Sequence, residues 1–192
     1  FLIKKVLMLG KKKSNNQVLI DMAEKQKRYE ALVHVYNKEL YRFAYWLCRD
    51  PHIADDLVQE TFLRAWRSLD SLLDQKAAKP WLLTILRREN ARRFERKQFD
   101  CSDVENDTLV DETSHSLDDE MEQTVIQRQI ALLSDEYREP LLLQVVMGCS
   151  GEEIAGILNL NKNTVMTRLY RARNQLKEAL SRDDEQLKGA SK

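Results

Sequence analysis

Ser150-Gly-Glu-Glu-Ile-Ala-Gly-Ile-Leu-Asn-Leu-Asn-Lys-Asn-Thr-Val-Met-Thr-Arg-Leu-Tyr-Arg-Ala-Arg173 is the stretch on which the fold turns. Ser150 is a helix-capping residue standing before a short run in which Ile154, Ala155 and Leu158 share one face. The small Ala155 allows a second helix to cross closely. Asn159 sits where the chain must turn, and Asn adopts the left-handed backbone more readily than other non-glycine residues. Asn161 then caps a longer helix, whose Val165, Leu169, Ala172 and Leu176 recur at four, three and four and face inward.

Outward on that second helix fall Lys162, Asn163, Thr164, Met166, Thr167, Arg168 and Arg171, with Arg173 toward the flank. These are largely hydrogen-bonding and cationic side chains, of the kind a recognition helix presents to base edges and phosphates in a major groove. A bland helical hairpin could share the apolar spacing. It would not so readily share the small turn, the two caps and a second helix without acids. The pattern predicts a DNA-binding helix-turn-helix.

The rest of the chain supports an all-α class. It has 192 residues with only five Gly and three Pro, which favours long helices joined by short connections. Cys48, Cys101 and Cys149 are too far apart for a C-x-x-C pair and have no His cluster nearby, so reduced thiols are expected rather than a disulfide frame or a zinc site. The opening segment, Phe1 to Gly10, is interrupted by Lys4 and Lys5 and is too short to span a bilayer. Residues 1–21 read as an unstructured leader or appended segment, and residues 183–192 as a tail.

Charge divides what lies between. Residues 99–122 hold ten acids and no Lys or Arg, and read as a flexible acidic linker. Residues 76–98 hold eight basic residues against Glu89 and Glu95, while Asn161 to Lys177 holds five and no acid. Two basic elements thus flank one acidic tether, and a polyanion would be attracted to both. The expected organisation is two small helical domains, 22–98 and 123–182.

In the first domain, Leu32, Val33, Tyr36, Leu40, Phe43, Ala44 and Leu47 mark a buried helix face, ended near Pro51. A second helix is expected from about Ile53, with Asp55 and Asp56 in its first turn. Leu57, Val58, Phe62, Ala65, Trp66 and Leu69 form its apolar side. Asp56, Gln59, Glu60, Leu63 and Arg67 fall opposite, as a solvated face or a partner contact. A third helix begins at Pro80, packing Trp81, Leu82, Ile85, Leu86 and Phe94 inward and stacking Arg88, Arg92 and Arg96 as a basic stripe. Trp81 reads either as core or as a platform for an unstacked base. In the second domain, Val125, Ile126, Ile130 and Leu133 restart the helical period. Ser134 reads as a cap, and Leu141, Leu142, Val145 and Val146 as the next apolar face.

His34, His52 and His115 are scattered, no glycine loop cradles a phosphate and no Cys-His pair is visible. Neither catalytic residues nor a metal or other cofactor are expected. A stand-alone helix-turn-helix regulator, with a sensing or dimerising first domain, is one reading of this layout.

The motifs also carry a resemblance. Asp55-Asp56-Leu57-Val58-Gln59-Glu60-Thr61-Phe62-Leu63-Arg64-Ala65-Trp66, Glu152-Glu153-Ile154-Ala155, Asn163-Thr164-Val165 and Arg168-Leu169-Tyr170-Arg171-Ala172-Arg173, in this order, resemble an extracytoplasmic-function (ECF) sigma factor of the sigma-70 family over about Tyr29 to Leu180. The resemblance implies a cytoplasmic initiation factor that binds core RNA polymerase through the β′ and β subunits. A region 2-like domain would open the minus-10 element and a region 4-like domain would read the minus-35 element of promoter DNA. It implies polymerase contact by Asp56, Gln59, Glu60 and Leu63. It puts Lys76, Lys79, Trp81, Arg88, Arg92 and Arg96 near minus-10 DNA, with a flipped base close to Leu72 to Lys79, and the outward residues of the last helix on minus-35 DNA. It further implies an anti-sigma partner, and a linker threading toward the RNA exit path. Arg88, Asn163 and Met166 depart from the Asn, Gly and basic residue common at these positions in the family, so promoter sequence does not transfer from relatives.

Overall fold

In the computed structural model, backbone is described for residues 15–100 and 117–189, and side chains for 20–95 and 125–182. Seven α-helices lie in the described residues, with no strand among them: α1 (Asn15–Cys48), α2 (Pro51–Ser68), α3 (Ala78–Asp100), α4 (Leu117–Leu132), α5 (Asp135–Val145), α6 (Gly151–Leu158) and α7 (Lys162–Gly189). Two single turns of 3-10 helix, Leu69–Ser71 and Gln75–Ala77, link α2 to α3.

Helices α1 to α3 pack as a bundle. Leu40, Phe43, Ala44 and Leu47 of α1, Ala54, Leu57, Val58, Phe62 and Ala65 of α2, and Leu82, Leu83 and Leu86 of α3 are buried together. Each large aliphatic side chain so buried contributes about 1.5–3 kcal/mol. Between α1 and α2 the chain turns at Arg49, which takes a left-handed backbone (φ 56°). Asp50 then caps α2, its carboxylate accepting from the Ile53 N–H at 3.0 Å, and Pro51 occupies the first helical turn. Asp55 and Asp56 therefore stand in the second turn, not the first, because the helix starts earlier than Ile53.

Helix α1 is longer than the sequence reading expected, since it covers 15–21 of the segment read as a leader. The stretch has no Gly or Pro to stop a helix, and its next turns are anchored to the far end of α2. Lys25 pairs with Asp70 at 2.8 Å and lies over the Trp66 ring at 5.4 Å, and Arg28 donates to the Leu72 carbonyl at 2.9 Å. Helix likewise occupies both ends of the stretch read as an acidic linker, with α3 reaching Asp100 and α4 starting at Leu117. The acidic residues of 101–116 lie outside the described residues. So does residue Cys101. Helix α7 carries through 183–189 of the expected tail, on a run without Pro.

Phe94, expected inside, is 45% exposed and packs under the Arg93 guanidinium, because the bundle core ends about two turns earlier at Leu86. Trp81 is half-buried and packs on the main apolar core and on the smaller cluster of Leu69, Leu72 and Ala78.

Helices α4 to α7 form the second unit around Ile130, Leu133, Leu141, Leu142, Leu143, Met147, Ile154, Ile157, Leu158, Val165, Leu169 and Ala172. Leu143 takes the inward place expected of Val145, which is 70% exposed. Ser134 occupies the cap position of α5, but its side chain makes no capping bond there. Gly148 closes the α5 end with φ 65°, its N–H donating to the Gln144 carbonyl at 3.1 Å, a conformation open to glycine at little cost. The two units touch. Arg42 of α1 donates to the Val146 carbonyl at 2.8 Å, and Arg87 of α3 pairs with Glu139 of α5 at 2.7 Å. Cys149 is buried near this seam.

Candidate nucleic-acid interface

The helix-turn-helix is built from three local devices. Ser150 and Glu153 form a capping box, in which the Ser150 hydroxyl accepts from the Glu153 N–H at 3.3 Å and the Glu153 carboxylate accepts from the Ser150 N–H at 2.8 Å. That bond holds the Glu153 carboxyl below its ordinary value. Asn159 ends α6 in the left-handed conformation (φ 54°, ψ 48°), and the Leu160 N–H returns to the Ala155 carbonyl at 2.9 Å. Asn161 then caps α7, its side-chain oxygen accepting from the Thr164 N–H at 2.7 Å. All three residues were expected at these positions. They fix the angle at which α7 leaves the turn.

Val165, Leu169 and Ala172 are fully buried and lock α7 against α5 and α6. Its opposite face is open. Lys162, Asn163, Met166, Thr167, Tyr170, Arg171 and Arg173 are exposed, and Thr164 and Arg168 are half-exposed. A shallow concavity of about 650 Å³ runs beside this face, with Glu136 and Tyr137 of α5 along one wall and Asn161, Thr164 and Arg168 along the other.

The cations of this face are tethered by neighbours. Lys162 pairs with Glu152, holding that carboxyl below its ordinary range. Arg168 lies 3.6 Å from Glu136, Arg171 reaches the Tyr137 hydroxyl at 3.5 Å, and Arg173 bonds the Gln144 side chain. Exposed pairs of this kind contribute little to stability, so phosphate can displace them at small cost. Tyr170 was absent from the predicted face. Its spacing from Asn163 and Met166, seven and four residues on, would have found it.

In the first unit, Asp56, Gln59, Glu60 and Leu63 are brought together on the exposed side of α2, with Leu63 49% exposed between charged neighbours. The basic residues around α3 are less uniform. Lys76 follows Asp74 in the 3-10 turn and is exposed, while Lys79 pairs with Glu39 at 3.0 Å close to the seam. Arg88 and Arg92 are exposed one turn apart, as the stripe required. The side chain of Arg96 lies outside the described residues. Arg92 is held by Glu89 at 2.5 Å, and the same carboxylate lies 3.3 Å from the Arg64 guanidinium of α2 as an ion pair. Glu89 is buried, and sequence alone did not single it out. Its i−3 spacing from Arg92 was the available signal.

The described residues hold no cluster of side chains able to bind a metal, and none of their helices is long and apolar enough to cross a membrane.

Residues 32–100 match Sigma-70 region 2, and residues 123–176 match Sigma-70, region 4. Among similar proteins, the ECF RNA polymerase sigma factor SigM of Bacillus subtilis is 30% identical over 156 residues, covering 80% of this chain and 95% of that protein. The ECF RNA polymerase sigma factor SigC of Mycobacterium tuberculosis is 31% identical, covering 81% of this chain and 84% of that one. A similar solved structure is the sigma factor RpoE of Bartonella quintana in complex with the anti-sigma factor NepR. It is 31% identical with a TM-score of 0.68, over 81% of this chain and 98% of that one. Two sigma regions in order, an exposed α2 face and a capped recognition helix on one chain agree with these likenesses: the chain belongs to the ECF RNA polymerase sigma factors and acts in transcription initiation.

Proposed function

We propose that α7 reads the minus-35 element of a promoter while α3 and the turns before it engage the minus-10 element. The observation that carries this is the capped turn at Asn159 and Asn161, which leaves the outward face of α7 free of packing and lined with cations. Lys162, Arg168, Arg171 and Arg173 supply phosphate and base-edge contacts, and Asn163, Thr164, Met166 and Thr167 lie nearest the bases. Arg88, Arg92 and Arg96 follow the melted strand, with Lys76, Lys79 and Trp81 at its edge.

Asp56, Gln59, Glu60 and Leu63 form the polymerase-binding face on α2, a half-exposed leucine among acids suited to a cationic helical partner on the β′ subunit. The chain brings no catalytic group of its own. Core polymerase performs the chemistry, and this protein, working in the cytoplasm, contributes promoter choice and strand opening. An anti-sigma protein restrains it, as the likeness to the NepR-bound factor supports.

Run-off transcription with core polymerase on a pool of genomic fragments tests the reading. Promoter-directed transcripts that depend on the chain, and fall when Leu63 is changed to Asp, are expected. Tight sequence-specific duplex binding by the chain alone, with no association with core enzyme, would overturn it in favour of a stand-alone regulator.

A further inference from the structure

We infer that the base-reading face of α7 recognises the C5-methyl group of thymine, with Met166 as the specificity-determining contact. This rests on the minus-35 role of α7 and specifies the chemistry it reads.

Several groups on that face already have partners within the protein. Lys162 is drawn toward Glu152 by an exposed pair that a backbone phosphate can displace, and the Asn161 side-chain oxygen is spent on the Thr164 N–H. The Thr167 hydroxyl donates to the Asn163 carbonyl at 2.9 Å, so its proton is used within the helix and its methyl group remains to be presented. Arg168 and Arg171 lean toward Glu136 and Tyr137, on the α5 side. What remains along the outward face is the Asn163 amide, the hydroxyl of half-exposed Thr164, the Met166 thioether, the Thr167 methyl and the Tyr170 ring. Met166 is 47% exposed and Tyr170 66% exposed, one turn apart on the same ridge.

Met166 also touches the neighbouring helix. Its sulfur lies 3.5 Å from where a Cβ on Gly151 would stand, so it reaches back to the first turn of α6. A thioether donates no hydrogen bond and accepts only weakly, so at this position it cannot satisfy the polar edge of guanine or cytosine. In the major groove, the one apolar group that a base pair offers is the thymine methyl. The cations flanking the ridge match a duplex as its occupant and argue against an apolar protein surface.

The test uses holoenzyme reconstituted from core polymerase and the full chain. A promoter duplex is selected from a randomised pool and resynthesised with deoxyuridine replacing thymidine at single positions of the upstream element, which removes only the methyl group. Competition binding should show about a fourfold loss at one or two positions, the worth of one buried methyl group. Met166→Ala should bind thymidine and deoxyuridine duplexes equally at the same position, while Met166→Leu, which keeps an apolar side chain of similar volume, should keep the discrimination. Equal binding of both duplexes by the unaltered protein at every upstream position overturns the inference. So does a methyl preference that survives Met166→Ala. Failure to enrich any upstream sequence would instead count against the minus-35 role itself.

Discussion

Asn159 is a residue whose backbone, not its side chain, carries the consequence. At φ 54° it occupies a region that costs other L-residues roughly 1–2 kcal/mol. Asn159→Ala should therefore destabilise the second unit by about 1 kcal/mol, while Asn159→Gly should leave it near unchanged, as read by urea unfolding. A large loss in both would mean that the Asn side chain has a structural role of its own. Arg168 and Arg171 pose a different question at the same scale, because each has a partner it must leave to meet DNA. Arg171 is the more loosely held, by a 3.5 Å contact to a neutral hydroxyl. Arg171→Ala and Arg168→Ala should each weaken upstream-element binding by about 1–3 kcal/mol if the side chain reads a base edge. If it meets phosphate instead, the loss will be uniform across sequences and the salt slope will fall by about one. Titrating affinity against salt for both variants separates these outcomes, and unchanged affinity in both would remove the assigned face.

The elements differ in how much of them the sequence disclosed, and the difference is physical. Helices α6 and α7 were legible because each boundary is made by a residue with a local mechanism: a serine cap, a left-handed asparagine and a second asparagine cap. Ser150→Ala should cost about 1 kcal/mol in thermal or urea unfolding, from the lost bond to the Glu153 N–H. The reciprocal half of the box has a pH signature. Since the folded Glu153 carboxyl titrates below its ordinary value of 4.5, its stabilisation is present above that pH and is lost as pH falls through the lower folded value. The stability gap between the unaltered protein and Glu153→Gln should accordingly close on acidification. Other elements were less legible. Five apolar residues within Leu141 to Val146 leave the phase of α5 ambiguous, and packing put Leu143 inside and Val145 outside. The extent of α1 escaped because residues 20–28 bring no buried side chain to the core and are held by Lys25 and Arg28, through contacts some 45 residues away in sequence. On α3, the stripe of Arg88 and Arg92 was visible from spacing, but the buried Glu89 that positions Arg92 emerges only when α2 supplies Arg64.

At the scale of the whole molecule, the proposed reading of two promoter elements at once sets a demand on the seam between the two units. Elements named for positions 10 and 35 lie about 25 base pairs apart, hence about 85 Å along a duplex at 3.4 Å per pair. Units joined by Arg87–Glu139 at 2.7 Å and by Arg42 to the Val146 carbonyl at 2.8 Å cannot span that distance. On the proposed reading the seam parts when both elements are engaged, and Cys149 can report it. Burial pushes this thiol up to about 11, with Glu153 adding to the rise and the charges of Lys79 and Glu39 reaching it from the first unit. At pH 8 the closed protein should alkylate slowly at Cys149, because the thiol is both covered and protonated. The stability that burial of the neutral thiol lends the closed form is complete below its ordinary value of 9.0 and is lost as pH rises through about 11. Arg87→Ala removes a partly exposed pair worth no more than about 1 kcal/mol, and should raise the opening population and the Cys149 labelling rate by up to about fivefold. Glu139→Gln should do the same, and the double variant should add little, since the two residues act through one contact. Labelling followed by peptide mass mapping reads the rate at this cysteine alone. A rate unmoved by all three variants would mean that the Arg87–Glu139 pair does not hold the units closed, leaving the Arg42 bond and the apolar core that runs through both units to do so.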